Sequence, residues 1–145
     1  MSSIWGMTPR ASVEAACREV GESNVVSSCV RIINDRDVSA DFAYVLAGPA
    51  SRTVLSGGEG GASGHWPRTW ALRGLLYAWD PSAEGAVLTC LNDDSWRVRE
   101  MALKVVARRR IDDALEAVAL LQHDDIARVR AAAQRALMRL VQNEA

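Results

Sequence analysis

Lysine, phenylalanine and histidine are almost missing from this chain. One lysine, Lys104, stands against sixteen arginines, and one phenylalanine against five tryptophans. The two histidines, His65 and His123, are far apart in sequence and have no ligand-type residues at helical spacing around them. That pattern gives no histidine-based metal site, and neither a metal nor a cofactor is expected. Cysteine is sparse as well. Cys17, Cys29 and Cys90 are odd in number and lack C-x-x-C spacing, which argues against a disulfide framework or a structural zinc site and leaves them as small buried apolar residues. No apolar run approaches the roughly 20 residues that a bilayer requires, and the opening "MSSIWGMTPR" has no basic segment followed by an apolar one. A cytoplasmic protein without membrane attachment is therefore the expectation. The preference for arginine over lysine points to a GC-rich bacterial genome, on composition alone.

What the chain has in abundance is Ala, Val, Leu and Arg. These are residues of helices, and with 49% of residues apolar but only 6% aromatic the composition favours an all-helical protein over a sheet-containing one. A length of 145 residues fits one domain burying roughly two-thirds of its unfolded surface.

The strongest signal is internal. "NDDSWRVREMALKVVARR", residues 92–109, is echoed 31 residues later by "HDDIARVRAAAQRALMRL". In register, Asp93-Asp94 falls on Asp124-Asp125, Arg97-Val98-Arg99 on Arg128-Val129-Arg130, Ala102 on Ala133, and Val105-Val106 on Ala136-Leu137. Upstream, Ala83, Ala86 and Val87 fall on Ala114, Ala117 and Val118. Each unit reads as a helix, a tight Asp-rich turn and a second helix. One further step back places "WPRTWALRGLLYAW", 66–79, on the second-helix position, with Pro67-Arg68 on Val98-Arg99 and Ala71 on Ala102. A more divergent copy precedes it: "NVVSSCVRII", the turn "NDRD" and "SADFAYVLAG", closed by Gly48 before Pro49 as a stop and restart. "TPRASVEAACREV" is then an N-terminal capping helix with Thr8 as N-cap and Pro9 at its first position. The expected organisation is a capping helix over 8–21 and repeats over 24–48, 49–79, 82–110 and 112–142, with a Gly-rich loop over 57–65 interrupting the second.

Packing explains the pattern. Val98, Ala102, Val105 and Val106 recur at helical spacing as one buried stripe, and Val129, Ala133, Ala136, Leu137 and Leu140 as another. Residues 70–79, apolar nearly all round, predict a central helix covered on several sides, in which truncating Leu75 is severely destabilising. No helix pair buries its apolar side alone, so neighbours stack.

"DDSWRVREMA" and "DDIARVRAAA" resemble HEAT repeats, in which an Asp-rich turn and a Val-Arg pair open the second helix. The resemblance covers 83–142 and, more loosely, 66–79. It implies an all-α fold, a right-handed α-α superhelix or HEAT-like solenoid of about four helix-pair repeats with an N-terminal capping helix, and second helices lining the concave side. It also implies that Arg68, Arg99 and Arg130 are structural arginines paired with turn aspartates.

From residue 66 onward the twelve cationic residues all fall on or at the end of predicted second helices, and the acids fall almost entirely in turns and first helices. Net charge near zero therefore hides a polarised surface able to steer an anionic partner. On a helical wheel Arg97, Lys104 and Arg108 lie together, away from the apolar stripe, and Arg128, Arg135 and Arg139 are their repeat equivalents. One repeat earlier the same positions hold Trp66, Arg73 and Tyr77, with Trp70 close by. These nine are the candidate binding residues. The aromatics fit core packing as well as stacking on a ligand. The arginines fit a solvated face as well as a binding face, and "RRR" at 108–110 also complements a helix dipole. "SGGEGGASGH", 56–65, runs into a helix start but matches no phosphate-binding pattern, and reads as a mobile insertion or a partner-contact loop.

The leading functional reading is a non-catalytic protein–protein interaction or scaffold module using the concave Arg-rich face, its partner a protein or peptide with an acidic surface. The alternative is nucleic-acid binding, with a relation to the HEAT-like alkylpurine DNA glycosylases that the resemblance brings into view. Glu100, in line with Trp96 and Lys104 at i, i+4 spacing, is then the one weak candidate for catalysis. A third reading, cofactor handling, has no support beyond the isolated Cys90 and His123.

Overall fold

The computed structural model describes residues 7–142, and among these the chain is helical with no strand. Its contacts gather into two compact units, divided along the chain between Ala83 and Glu84. The division falls at the start of a helix and not in a linker.

The first unit contains α1 (Pro9–Val20), α2 (Glu22–Asp35), α3 (Ala40–Ala47), α4 (Ala50–Leu55) and α5 (His65–Gly74). Local chemistry sets most of these boundaries. Thr8 accepts a hydrogen bond from the Ala11 amide at 3.1 Å, and Pro9 supplies a preset φ in the first turn. Ser39 does the same for α3 through the Phe42 amide. Gly48, at φ 63°, ends α3 and returns its amide to the Tyr44 carbonyl at 2.8 Å, so that α4 starts directly after Pro49. Val13, Val25, Val26, Cys29, Ile32, Ala43, Leu46, Val54, Ala71, Leu72 and Leu75 make the core, all at 3% exposure or less. The end carbonyls of α3 have no partner within their own helix and find one elsewhere: the Ser12 hydroxyl donates to Val45 O at 2.7 Å, and Arg73 Nη2 donates to Leu46 O at 2.8 Å.

The predicted 70–79 helix is shorter than expected. α5 stops at Gly74, and the backbone tightens into i→i+3 turns through Tyr77. Its residues are nonetheless covered as expected, Trp70, Ala71, Leu72, Leu75 and Ala78 being buried. The Gly-rich segment is not a bare loop either. Gly58–Ser63 is a pair of tight turns joined across a kink, with Glu59, Gly60 and Gly61 all at positive φ and so outside helical geometry.

The second unit holds α6 (Glu84–Cys90), α7 (Trp96–Arg109), α8 (Leu115–Leu121) and α9 (Ala127–Val141). Val98, Ala102, Val105 and Val106 are fully covered, as the stripe predicts, and so are Val129, Ala133 and Ala136. Two residues depart from it. Leu103 is fully buried outside the stripe, whereas Leu137 inside its stripe is only half-buried. Within this unit α7 packs against α6 and α9, and α9 against α7 and α8.

Candidate functional site

The two Asp-rich turns are built alike. Asp93 Oδ1 accepts the Ser95 amide and Asp124 Oδ1 the Ile126 amide, each at 2.9 Å, which folds the chain back into the next helix. An arginine one turn into that helix then reaches back to the turn: Arg99 Nη1 donates to Asp93 O at 2.8 Å, and Arg130 Nη1 to Asp124 O at 2.7 Å. Arg68 makes the corresponding contact in the first unit, donating to Gly64 O at 2.8 Å. Arg99 has a second task. Its Nε and Nη2 hold both carboxylate oxygens of Asp124, at 2.9 and 3.2 Å, tying one turn to the next. Burial works to raise the pKa of Asp124, but the Arg99 and Ile126 hydrogen bonds and the charges of Arg99 and Arg130 outweigh it and hold the carboxyl below its ordinary value. The family-type reading of these arginines as architecture therefore holds for Arg99 in full.

The candidate binding cations of the second unit face water. Arg97, Lys104 and Arg108 on α7, and Arg128, Arg135 and Arg139 on α9, are all exposed, and the two helices pack against each other. The only acid on either helix is Glu100, and it is buried at 8% exposure. Arg128 Nε donates to Glu100 Oε2 at 3.1 Å. The Trp96 ring carries two guanidiniums, that of Arg97 at 4.5 Å from its centroid and that of Arg128 at 5.1 Å. Trp96, absent from the candidate binding residues, is thus the hub of the site.

The first-unit candidates are placed differently. Trp66 is half-buried, lies 6.3 Å from Trp70 with rings inclined by 22°, and donates its indole N–H to Glu59 Oε1 at 3.0 Å. Arg73 is half-buried with a guanidinium N–H on Leu46 O, and burial lowers its pKa from the ordinary arginine value. Tyr77 is half-buried in the turn after α5. Of the sequence candidates, the structure brings Arg97 and Arg128 together on one ring, leaves Lys104, Arg108, Arg135 and Arg139 in solvent, and gives Trp66 and Arg73 internal partners. Cys29 and Cys90 are buried, and burial raises the Cys29 thiol pKa. Among the described residues no group of three or more His, Cys, Asp or Glu side chains is placed to hold a metal, and no helix is long and apolar enough to cross a membrane.

Repeated helix pairs, joined by aspartate-bracketed turns and tied by an arginine in each second helix, define an α-helical repeat protein. A family model described as HEAT repeats matches residues 66–138, half of the chain, from the start of α5 into α9. The chain belongs to the HEAT-repeat family. Comparison with curated proteins and with solved structures gives no match.

Proposed function

We propose that this protein is a non-catalytic interaction module that binds an acidic protein or peptide through the exposed cations of its second helices. The observation carrying this reading is the charge pattern of α7 and α9: six exposed cations, and a single acid that is buried under one of them. Membership of a family whose members generally act by binding proteins supports it. So does the placement of the candidate catalytic acid, since a Glu100 covered by Arg128 is poorly offered to a substrate. The finer organisation belongs to the same proposal: about four helix pairs over 24–48, 49–79, 82–110 and 112–142, a capping helix over 8–21, and a right-handed superhelical course. A cytoplasmic setting belongs to the same proposal, supported by an odd number of cysteines without C-x-x-C spacing.

The test is titration of the full chain with a glutamate-rich peptide and with single- and double-stranded DNA and RNA at several salt concentrations, alongside an Arg97→Glu/Arg108→Glu/Arg128→Glu variant. Peptide binding that the variant loses supports the module. Tight nucleic-acid binding with a steep salt slope, lost in the same variant, replaces it with the nucleic-acid reading.

A further inference from the structure

The fold uses one side of α9 and leaves the other open. Val129, Ala133, Ala136 and Leu140 are buried in the second unit. On the opposite side of the helix Ala127, Ala131, Gln134, Met138 and Val141 recur at helical spacing, and this largely apolar stripe faces water, Met138 being 66% and Val141 63% exposed. One repeat earlier, the matching positions of α7 are Trp96, Glu100, Leu103 and Ala107. There the stripe is occupied: Arg128 of α9 lies over Trp96 and bonds Glu100, and Leu103 is fully buried. The side on which α7 receives its neighbour is therefore presented to solvent by α9. Arg128, Arg135 and Arg139 are exposed along one flank of that stripe, and α9 itself carries no acid.

The first unit offers a counterpart. A groove of about 510 Å³ between α1, α2 and α3 is lined by buried Val25 and Val45, half-buried Phe42 and exposed Val20, and its only charged lining residues are Glu19 and Asp41. The surrounding charges do not reverse that sign. Arg10 is paired with Glu14 and Arg31 with Asp37, Arg18 and Arg36 stand against Glu22 and Asp35, and Arg52 of α4 lies over the Tyr44 ring. On the α9 side, Glu100 and Asp124 are bonded to Arg128 and Arg99. Asp112, Asp113, Glu116 and Asp125 lie before, on and after α8, and Glu144 lies outside the described residues.

We propose that this chain self-associates head to tail, the outer stripe of α9 in one copy seating in the α1–α2–α3 groove of the next. A helix laid by its apolar side into an apolar groove is a recurrent mode of recognition. Charge fixes the orientation, since arginines on one flank of the helix meet the carboxylates of Glu19 and Asp41. A second copy is the occupant because both halves of this complementary pair belong to the same chain, and a formal net charge of −1 leaves little repulsion between copies. The two surfaces differ, so the contact is heterologous: each added copy leaves one groove and one stripe unfilled, and growth continues unless a ring closes. The proposal goes beyond the interaction reading above and does not depend on it.

Sedimentation velocity of the full chain from micromolar to millimolar concentration is expected to show an average mass that rises with concentration. Val20→Asp in the groove and Met138→Asp on the stripe both alter side chains that are more than half exposed, so thermal melts should match the parent. Each is expected to weaken association by about tenfold or more, with Glu19→Lys as a second groove variant if Val20→Asp melts early. Mixing the two aspartate variants is decisive. Each retains the surface that the other lacks, so the mixture is expected to form a one-to-one dimer that neither forms alone, and adding Arg135→Glu/Arg139→Glu to the Val20→Asp chain is expected to abolish it. A parent that stays monomeric throughout overturns the proposal. Association that survives both groove variants but not Met138→Asp overturns the groove in favour of α9 pairing with α9. A mixture no more associated than its components overturns the head-to-tail contact. Val20→Asp and Met138→Asp keep every cation of α7 and α9, so their binding of a glutamate-rich peptide scores the interaction reading separately.

Discussion

The turns ahead of α7 and α9 are each bracketed by an aspartate, whereas α5 is entered through Gly64. In all three an arginine returns to the turn and caps a carbonyl. The element held in common is therefore the arginine on the carbonyl, and the aspartate adds register: it shapes its own turn, and through Arg99 it links that turn to the one before it. Where Ala62 and Ser63 stand in place of the two aspartates, in a glycine-rich stretch, the chain winds differently, as it does over Gly58–Ser63. The same repeat grammar thus gives a regular pair of units at 84–142 and an interrupted one before it.

Truncation along one repeat-equivalent position tests this contrast most strongly. Leu75, Val106 and Leu137 occupy the same place in successive units. Leu75 and Val106 are fully covered, and Leu137 is only half-buried. Leu75→Ala is expected to cost about 2–5 kcal/mol, Val106→Ala about 2 kcal/mol for fewer buried methyl groups plus a cavity, and Leu137→Ala under about 1.5 kcal/mol. Denaturant unfolding of the three variants checks the order, and a Leu137→Ala cost equal to that of Leu75→Ala breaks the link between burial and cost.

The inter-turn tie comes next. The side chains of Arg99 and Asp124 are 17% and 8% exposed, so removing one partner leaves the other charge poorly hydrated. Arg99→Ala is expected to destabilise by about 2–4 kcal/mol. The pH dependence follows from the lowered pKa of Asp124. A carboxyl that binds its proton less readily folded than unfolded contributes stability that is in place above about pH 4 and is lost as pH falls through the folded-state value. Acid melts of the parent should therefore steepen below pH 4, and Asp124→Asn, less stable at neutral pH, should flatten that slope. An unchanged slope in Asp124→Asn removes the tie as the source of acid sensitivity.

How much of this was legible in the sequence depends on range. Thr8, Pro9, Gly48 and the aspartate turns act on backbone within four residues of themselves, so the residue types alone announced the boundaries. The stripe of Val98, Ala102, Val105 and Val106 was legible because helical periodicity is local. Leu103, fully buried outside that stripe, was not, because no property of α7 alone reveals what will cover its second side. The site divides in the same way. The exposed cations followed from the wheel and the repeat. Arg73, on a carbonyl 27 residues upstream, and the Trp96 hub, which needs Arg128 from the following repeat, depend on contacts that residue spacing within one helix does not encode.

Gly64→Ala sharpens the contrast between the turns with a smaller effect. A Cβ at Gly64 lies 2.9 Å from Glu59 O and 3.1 Å from Gly60 backbone atoms, so the kinked stretch before it must shift to admit it. A loss of about 1–3 kcal/mol is expected, accompanied by weakening of the Trp66–Glu59 hydrogen bond that this stretch presents. Trp66 indole N–H exchange by NMR reports on that bond. Full stability with an unchanged exchange rate shows the stretch to be freely deformable.

The smallest effects are the exposed arginines, and here the two units are expected to differ in sign. On α1, Arg10 Nε meets Glu14 Oε2 at 3.0 Å in an i, i+4 pair, so Arg10→Ala should lose about 0.3 kcal/mol of pairing. On α9, Arg135 has Arg139 at i+4 and no acid on its helix, so Arg135→Ala relieves a like-charge contact and places the best helix former at an exposed site. A gain of up to about 0.5 kcal/mol is expected, measurable as a small rise in denaturation midpoint at low salt that fades as salt screens the pair. A side chain whose removal stabilises its helix is not explained by folding, and its weakened binding of a glutamate-rich peptide, measured on the same variant, would supply the explanation. A loss of stability at Arg135 equal to that at Arg10 would instead return the α9 cations to ordinary surface architecture.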